Sequence, residues 1–259
     1  MPPTVTLEGC RVKLEPLNLS HVSALVRAAT EARDTYDFAR VPADDAAMTK
    51  YIEAALADQR AGSALPFVIH DRRRQAIVGS TRFLDLDYWS RPPASPPGRS
   101  TSRPDPVPTV AEVGSTWLAS SAQRTGCNTE AKLLMLSHAF DTWDVLRVTL
   151  KTDSRNARSR RAIERIGGRF EGIRRAHVRA VDGSVRDSAY YSIVATEWPD
   201  VSAALKARLT ALSPYGKLAT DQPAGTRVAS STWTCRVPGR DRSRRSPAGR
   251  PTAPRPALA

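Results

Sequence analysis

The segment Asn128–Trp143 constrains the fold of this chain more than any other. Its apolar residues spread around most of a helix instead of forming one narrow stripe. They are Ala131, Leu133, Leu134, Met135, Leu136, Ala139, Phe140 and Trp143. A helix with so wide an apolar surface cannot face solvent along its length. We therefore expect it to lie deep against a sheet.

The remaining segments supply that sheet. Alternating or short apolar runs predict strands at Val5–Leu14, Phe67–Ile69, Ala76–Leu86, Val110–Leu118, Leu146–Leu150, Phe170–Val178 and Val185–Val194. The last two flank Asp182-Gly183, a strong hairpin signal. Helical periodicity predicts further helices at His21–Thr30 with Ser20 as N-cap, Asp45–Arg60, Arg158–Ile166 and Trp198–Leu212. This order predicts a mixed α/β domain over residues 1–212, built around one sheet.

Two segments are not expected to join the core. Residues 90–109 contain seven prolines in twenty positions, which favours an exposed loop. Residues 213–259 are rich in Pro, Gly, Ser and Arg, so we expect a disordered basic tail. From Tyr215 onward the tail holds nine Lys and Arg against two acids, which accounts for +7 of the net charge of +13. The alternative for the tail is an arm that touches RNA or another acidic surface.

Composition excludes several other classes. No apolar run reaches the roughly 18 residues that a membrane span needs, and no signal peptide is visible. The three cysteines are too few and too scattered for a disulfide framework or a metal cluster, so we expect a reducing cytoplasm. The four histidines lack metal-ligand spacing, and we expect no metal.

The loop between strand Val110–Leu118 and the buried helix is the candidate site. Gly126 permits a backbone turn that a side chain would forbid, and the helix start offers free amides with a partial positive charge. Arg124 adds a planar guanidinium group that keeps its positive charge at any physiological pH. The combination predicts a phosphate or pyrophosphate site, although a glycine before a helix is more often an ordinary turn.

This part of the chain resembles a known family. Gln123-Arg124-x-Gly126, Asn156-x-x-Ser159 with the following Ala162–Gly167, and Arg169-Phe170-Glu171-Gly172 are similar to segments of the GNAT N-acetyltransferases. With the Asp182-Gly183 hairpin and Glu197-Trp198, they resemble the RimJ/RimL-like branch, which includes acetylases of ribosomal-protein N-termini. The resemblance implies a GNAT fold: one central, mostly antiparallel sheet with a splayed strand pair, flanked by helices.

The resemblance also implies a co-substrate, acetyl-CoA, and a set of residues that bind it. That set comprises Trp117, Leu118, Gln123, Arg124, Thr125, Gly126, Cys127, Asn128, Asn156 and Ser159. The chain departs from the family pattern twice. Asn128 stands where a second glycine or alanine is usual, and Ile163 stands where many members carry a tyrosine general acid. For Asn156, the alternative role is a helix cap.

Two residues are expected to handle protons. Glu112 is the only acid in the strand Val110–Leu118, so it is the best candidate for the general base, directly or through a water. A strand-end glutamate in solvent is the alternative. Strand alternation would place Gly114, Thr116 and Leu118 on the same face as Glu112, unless a bulge intervenes. Ser159, by resemblance, would lie near the departing thiolate.

The expected function is acetyl transfer from acetyl-CoA to a primary amine by direct attack in a ternary complex. The acceptor is open between a protein N-terminus, such as that of a ribosomal protein, and a small molecule. An inactive acyl-CoA-binding GNAT domain and an RNA-associated protein are the alternatives. We expect no membrane partner and no nucleic acid, because no recognition motif or interleaved aromatics accompany the basic residues. A homodimer is left open.

Overall fold

The computed structural model describes residues 2–89 and 107–212. The predicted tail 213–259, and all but the last three residues of the predicted loop 90–109, lie outside these ranges.

One eight-stranded sheet organises the described residues. The strands are β1 Leu7–Glu8, β2 Val12–Pro16, β3 Leu65–Asp71, β4 Ala76–Asp87, β5 Val110–Leu118, β6 Arg147–Asp153, β7 Arg169–Arg179 and β8 Val185–Val194. Their order across the sheet is β1-β2-β3-β4-β5-β6-β8-β7. Every neighbouring pair is antiparallel except β5 and β6, which are parallel. The predicted mixed α/β fold with one central, mostly antiparallel sheet is thereby confirmed.

Helices cover both faces of the sheet. They are α1 Val22–Thr30, α2 Asp45–Arg60, α3 Cys127–Ser137, α4 Ala157–Arg165 and α5 Trp198–Ala211. On β4, Arg82 lies over the ring of Tyr51 in α2, whereas Phe83 packs against His138 just after α3. Successive side chains of a strand point to opposite faces. The helices α2 and α3 therefore lie on opposite sides of the sheet.

Helix α3 is buried as its apolar pattern predicts. Eight of its eleven residues are buried, and they include Glu130 and Lys132. The predicted helix runs to Trp143, but the α-helix ends at Ser137 and a π-helical turn, His138–Thr142, follows it. His138 packs there against Phe83 and Trp143.

The N-terminal strand is shorter than predicted. Val5–Leu14 is not one strand but the hairpin of β1 and β2. The buried carboxylate of Glu130 accepts the backbone N–H groups of Cys10, Arg11 and Val12 at 3.1, 2.7 and 2.6 Å. These bonds stabilise the turn and join it to α3.

The cap predicted at Ser20 is also wrong. The side chain of Asn18 caps this segment, because its oxygen accepts the Ser20 backbone N–H at 2.9 Å. A short 3₁₀ turn, Leu19–His21, then leads into α1.

The splayed pair is β5 and β6. They pair only from Val110 with Arg147 to Glu112 with Thr149, and beyond that point they diverge. A bulge in β5 lies just after this point, where Ser115 takes a left-handed φ of 47°. The bulge reverses the side-chain alternation. Thr116 bonds to Thr81 and Lys132 on the α3 side, so the alternation that grouped it with Glu112 is wrong.

The hydrogen bonds of Glu130 give the first prediction. Replacing Glu130 with Ala leaves three backbone donors without their acceptor, so we expect the free energy of unfolding to fall by roughly 2–5 kcal/mol. Urea unfolding measures this change. The matched control is Glu53→Ala on the exposed face of α2, which we expect to change stability by less than about 0.5 kcal/mol. Equal stabilities of the two variants would contradict the anchoring role.

Candidate active site

A cleft of about 980 Å³ opens where β5 and β6 diverge. It is bordered by the ends of these strands, the start of α3, the start of α4 and part of α2. Among the described residues that line it, ten are Lys or Arg and two, Glu112 and Asp153, are acids. The basic residues are Arg40, Arg82, Arg124, Lys132, Lys151, Arg158, Arg161, Arg165, Arg179 and Arg186. The cleft is therefore suited to an anionic ligand.

The loop before α3 has the geometry of an anion site. Gly126 forms the N-cap of α3 with a left-handed φ of 93° and has no side chain with which to cap the helix, although the Cys127 backbone N–H donates to the Thr125 hydroxyl at 3.5 Å. The first backbone amides of a helix lack partners within it, so they are available to a ligand. Gln123, Arg124 and Asn128 line the cleft next to these amides. A side chain at Gly126 would crowd Arg11, since the guanidinium lies 3.3 Å from the point that a Cβ would occupy.

Other predicted loop residues bond within the protein. Thr125 Oγ1 donates to the carbonyl of Ala122 at 2.6 Å, and Cys127 Sγ lies 3.4 Å from a carboxylate oxygen of Asp71. Burial raises the pKa of the Cys127 thiol to about 11, so it is not a thiolate at neutral pH. Thr125, Gly126 and Cys127 are not among the residues that line the cleft.

The end of β5 is held by side chains. The carbonyl of Leu118 accepts hydrogen bonds from Gln123 Nε2 and from the hydroxyl of Tyr36, both at 3.0 Å. The Tyr36 ring packs edge-on against Trp117, with centroids 6.0 Å apart. Tyr36 could not be predicted as a site residue from the sequence, because it lies in a 3₁₀ turn, Arg33–Tyr36, with no periodic pattern. Burial raises the pKa of its phenol.

Helix α4 brings the second predicted motif to the cleft. The side-chain oxygen of Asn156 accepts the backbone N–H of Ser159 at 2.9 Å and so caps the helix. Asn156, Ser159 and Ile163 all line the cleft.

The arginines near this helix divide into two groups. Arg158 and Arg161 line the cleft. Arg155 pairs instead with Asp153 and Asp182, both within 2.9 Å. Arg160 donates to the hydroxyl of Tyr191, which belongs to the core.

Glu112 lies at the point of divergence and is only 4% exposed. Its carboxylate is 2.7 Å from Lys151 Nζ, which also lies 3.4 Å from Asp85. Burial raises the pKa of Glu112, while the hydrogen bond and charge of Lys151 oppose that shift. A carboxylate with a raised pKa is a stronger proton acceptor than an exposed one. The solvent-exposed alternative for this residue is therefore wrong.

Lys132 is a second buried ionisable group. Its Nζ contacts the hydroxyls of Thr116 at 2.5 Å and Thr81 at 3.0 Å. No carboxylate forms an ion pair with it among the described residues. Burial lowers its pKa to about 7. The sequence signal was present, since Lys132 lies between the apolar residues Ala131 and Leu133 of a helix predicted to be buried.

Comparison with known proteins identifies the family. A family model described as "Acetyltransferase (GNAT) domain" matches residues 11–169. The chain belongs to the GNAT acetyltransferases. A GCN5-related N-acetyltransferase from Brucella melitensis is 30% identical, with a TM-score of 0.66, over 83% of this chain and 88% of its own. A comparison with curated proteins finds no match.

More distant GNAT structures share the fold. Mycobacterium smegmatis RimJ, solved with CoA-disulfide, is 22% identical, with a TM-score of 0.63, over 79% of this chain and 95% of its own. RimL, a ribosomal L7/L12 alpha-N-protein acetyltransferase in complex with coenzyme A, is 17% identical, with a TM-score of 0.57, over 73% and 98%. The predicted resemblance to GNAT enzymes, with RimJ and RimL among the structural neighbours, is confirmed.

GNAT acetyltransferases use acetyl-CoA, and the cleft of this chain fits that molecule. Arg124 beside the start of α3 and Arg158 and Arg161 on α4 supply cations that match the phosphates of coenzyme A. The indole Nε1 of Trp117 is buried in the cleft wall without a hydrogen-bond partner among the described residues, which leaves a donor for a ligand. Within the described ranges no group of His, Cys, Asp and Glu could hold a metal ion. None of the described helices has the length and apolar character to cross a bilayer.

The buried amine of Lys132 gives the second prediction. Between pH 7 and the ordinary lysine pKa of 10.5, the unfolded chain binds a proton that the folded protein does not. The stability that the neutral amine permits is therefore fully present above pH 10.5, and it is lost progressively as pH falls from 10.5 to about 7. In this window we expect the stability of wild type relative to Lys132→Met to rise with pH by roughly 1.4 kcal/mol per pH unit at most.

Urea unfolding at several pH values across this window measures the slope. Lys206→Met, on the exposed face of α5, is the control that should run parallel to wild type. If Lys132→Met also runs parallel to wild type, then Lys132 is charged in the folded protein.

Proposed function

We propose that this protein transfers an acetyl group from acetyl-CoA to a primary amine by direct attack in a ternary complex. The observation that carries the proposal is the divergence of β5 and β6 at Glu112, which opens a cationic cleft beside the uncapped start of α3. We assign the catalytic domain to residues 1–212 and place the protein in the cytoplasm.

The pyrophosphate of acetyl-CoA binds over Gln123–Asn128 in this proposal. The left-handed Gly126, the free amides at the start of α3 and the guanidinium of Arg124 support this placement. Thr125 and Cys127 contribute backbone amides only, because their side chains bond within the protein.

The pantetheine arm passes Trp117 and Leu118 on its way to the divergence. The Leu118 carbonyl already accepts two hydrogen bonds from the protein. The indole Nε1 of Trp117 has no partner among the described residues, so it can donate a hydrogen bond to the pantetheine arm. Asn156 keeps its side-chain amide for the ligand because only its oxygen caps α4. Arg158 and Arg161 are the cations that we assign to the 3′-phosphate.

The chemistry requires one proton to leave the amine and one to reach the sulfur. The neutral amine attacks the thioester carbonyl, the C–S bond breaks, and an amide and coenzyme A result. Glu112 accepts the amine's proton, directly or through a water, and its raised pKa suits it to that task. Ser159, which lines the cleft one turn before Ile163 on α4, donates a proton to the departing thiolate, a role that solvent can share.

The acceptor is a primary amine, either a protein N-terminus or a small molecule. RimL is named for the N-terminal acetylation of a ribosomal protein, but at 17% identity it supports the fold alone. Mass spectrometry of a cell lysate treated with the purified protein and acetyl-CoA identifies the acceptor.

Glu112→Gln tests the base. We expect kcat to fall by about 10²–10⁴-fold, because general bases contribute that much. Wild-type activity should rise with pH through the raised pKa of Glu112, and the variant should lose this limb of the profile. We expect Ser159→Ala to lower kcat by a smaller factor than Glu112→Gln does. Glu53→Gln, exposed on α2, is the control. If the kcat of Glu112→Gln equals that of wild type across the pH range, Glu112 is not the general base.

Arg124→Ala tests the cofactor site. The variant should bind acetyl-CoA about 1.5–3 kcal/mol more weakly, the usual value of a charge-assisted hydrogen bond. Calorimetry measures the affinity, with Arg60→Ala at the exposed end of α2 as the control. Unchanged affinity in Arg124→Ala contradicts the placement. Tight binding of acetyl-CoA without thiol release for any amine would instead indicate an inactive acyl-CoA-binding domain.

A further inference from the structure

Arg82 and Tyr51 form a polar pair that the proposed chemistry does not use. Arg82 lies on β4 and is only 6% exposed, and its guanidinium carbon is 4.9 Å from the centre of the Tyr51 ring on α2. The Nε of Arg82 and the hydroxyl of Tyr51 are both buried without a hydrogen-bond partner among the described residues. Both residues line the cleft.

In the part of the chain that the structure describes, the positive charge of this guanidinium is poorly neutralised. Among the described residues, the one carboxylate that pairs with it belongs to Asp58, 3.9 Å from Nη1, and that side chain is 54% exposed. At this distance the contact is not a hydrogen bond. A buried charge without a hydrogen-bonded partner is costly unless a ligand supplies one. The packing of Arg82 over the Tyr51 ring holds the guanidinium plane in one orientation, which favours binding of a planar anion such as a carboxylate.

The pair lies on the acceptor side of the reacting point. Arg82 is opposite Gly114 in the register of β4 and β5, and Leu84 is opposite Glu112. Two residues along a strand span about 6.6 Å. Arg82 and Glu112 face the same side of the sheet as α2, whereas α3 packs on the other side, where Lys132 and Met135 contact Thr81. Arg82 and Glu112 thus lie on neighbouring strands, two residues apart along them, which is the reach of a small amine that carries an anion close to its nitrogen.

We propose that the acceptor of this enzyme carries a carboxylate within about one residue of the reacting amine, and that Arg82 and Tyr51 bind it. This inference rests on the proposed acetyl transfer. The guanidinium fork donates two parallel hydrogen bonds to the carboxylate, and the Tyr51 hydroxyl donates a third. Glu112 then faces the amine at the other end of the acceptor. Lys151 does not compete for the anion, because Glu112 and Asp85 pair with it.

Two acceptor types share this chemistry: a free amino acid, with its α-carboxylate, and a peptide with Asp or Glu at its first or second position. Matched pairs of acceptors distinguish them. One arm compares free amino acids with their carboxamides, and the other compares peptide amides beginning with Asp or Glu with those beginning with Asn or Gln. Steady-state thiol release by the full chain, at saturating acetyl-CoA, gives kcat and KM for each acceptor.

We expect wild type to prefer the carboxylate member of one arm by about tenfold or more in kcat/KM, mainly through KM. Arg82→Gln should abolish that preference and leave the rate with the neutral member unchanged. Arg82→Lys should keep part of the preference, and Tyr51→Phe should lose a smaller part. Arg60→Gln, exposed at the end of α2, should keep all of it. Calorimetry should give the same acetyl-CoA affinity for wild type and Arg82→Gln.

Two results would overturn the inference while acetyl transfer stands. One is equal use of the two members of every pair by wild type. The other is an equal loss on both members in Arg82→Gln. If Arg82→Gln does not fold, the wild-type comparison and Arg82→Lys decide the matter. If no amine of either arm or of a neutral amine panel is acetylated, the proposed function itself fails, and the inference fails with it.

Discussion

The early end of the pairing between β5 and β6 is the constraint on which the site depends. If the two strands stayed paired along their length, the sheet would have no opening here between the face covered by α2 and the face covered by α3. Because they part after Glu112 and Thr149, a passage joins the two faces. A buried carboxylate lies at the point of divergence, and the bulge at Ser115 turns Thr116 toward α3. A molecule entering from the side of α3 and one entering from the side of α2 can meet at this point.

The N-terminal hairpin and α3 form one unit through Glu130. The strands β1 and β2 lie at one edge of the sheet, yet the turn between them is bonded to the helix that begins at the cleft. Burial raises the pKa of Glu130, while the three backbone bonds favour its ionised form. The start of α3 is thus fixed by hydrogen bonds between residues more than a hundred positions apart in the sequence. These bonds orient its backbone amides although the N-cap residue, Gly126, has no side chain.

The sequence predicted the architecture well and the chemistry of the interior less well. The bounds of β5, β8 and α2 were predicted to the residue, because their apolar patterns are regular and their ends carry turn or cap residues. The face of Thr116 was not, since a bulge leaves no trace in an alternating pattern. Tyr36 reaches the cleft from a 3₁₀ turn and Arg82 reaches it from β4, and only the tertiary arrangement of these elements beside β5 brings the two side chains there.

Among the described residues, the nine lysines and arginines other than Lys132 that line the cleft also affect the timing of the reaction cycle. Their summed field extends about a Debye length into solvent and accelerates the arrival of an anionic donor. Coenzyme A retains every phosphate of acetyl-CoA after the acetyl group has left. The attraction that speeds arrival therefore also slows departure of the product. Added salt weakens both effects, so ionic strength shifts the slow step of the cycle between capture of the donor and release of the spent carrier.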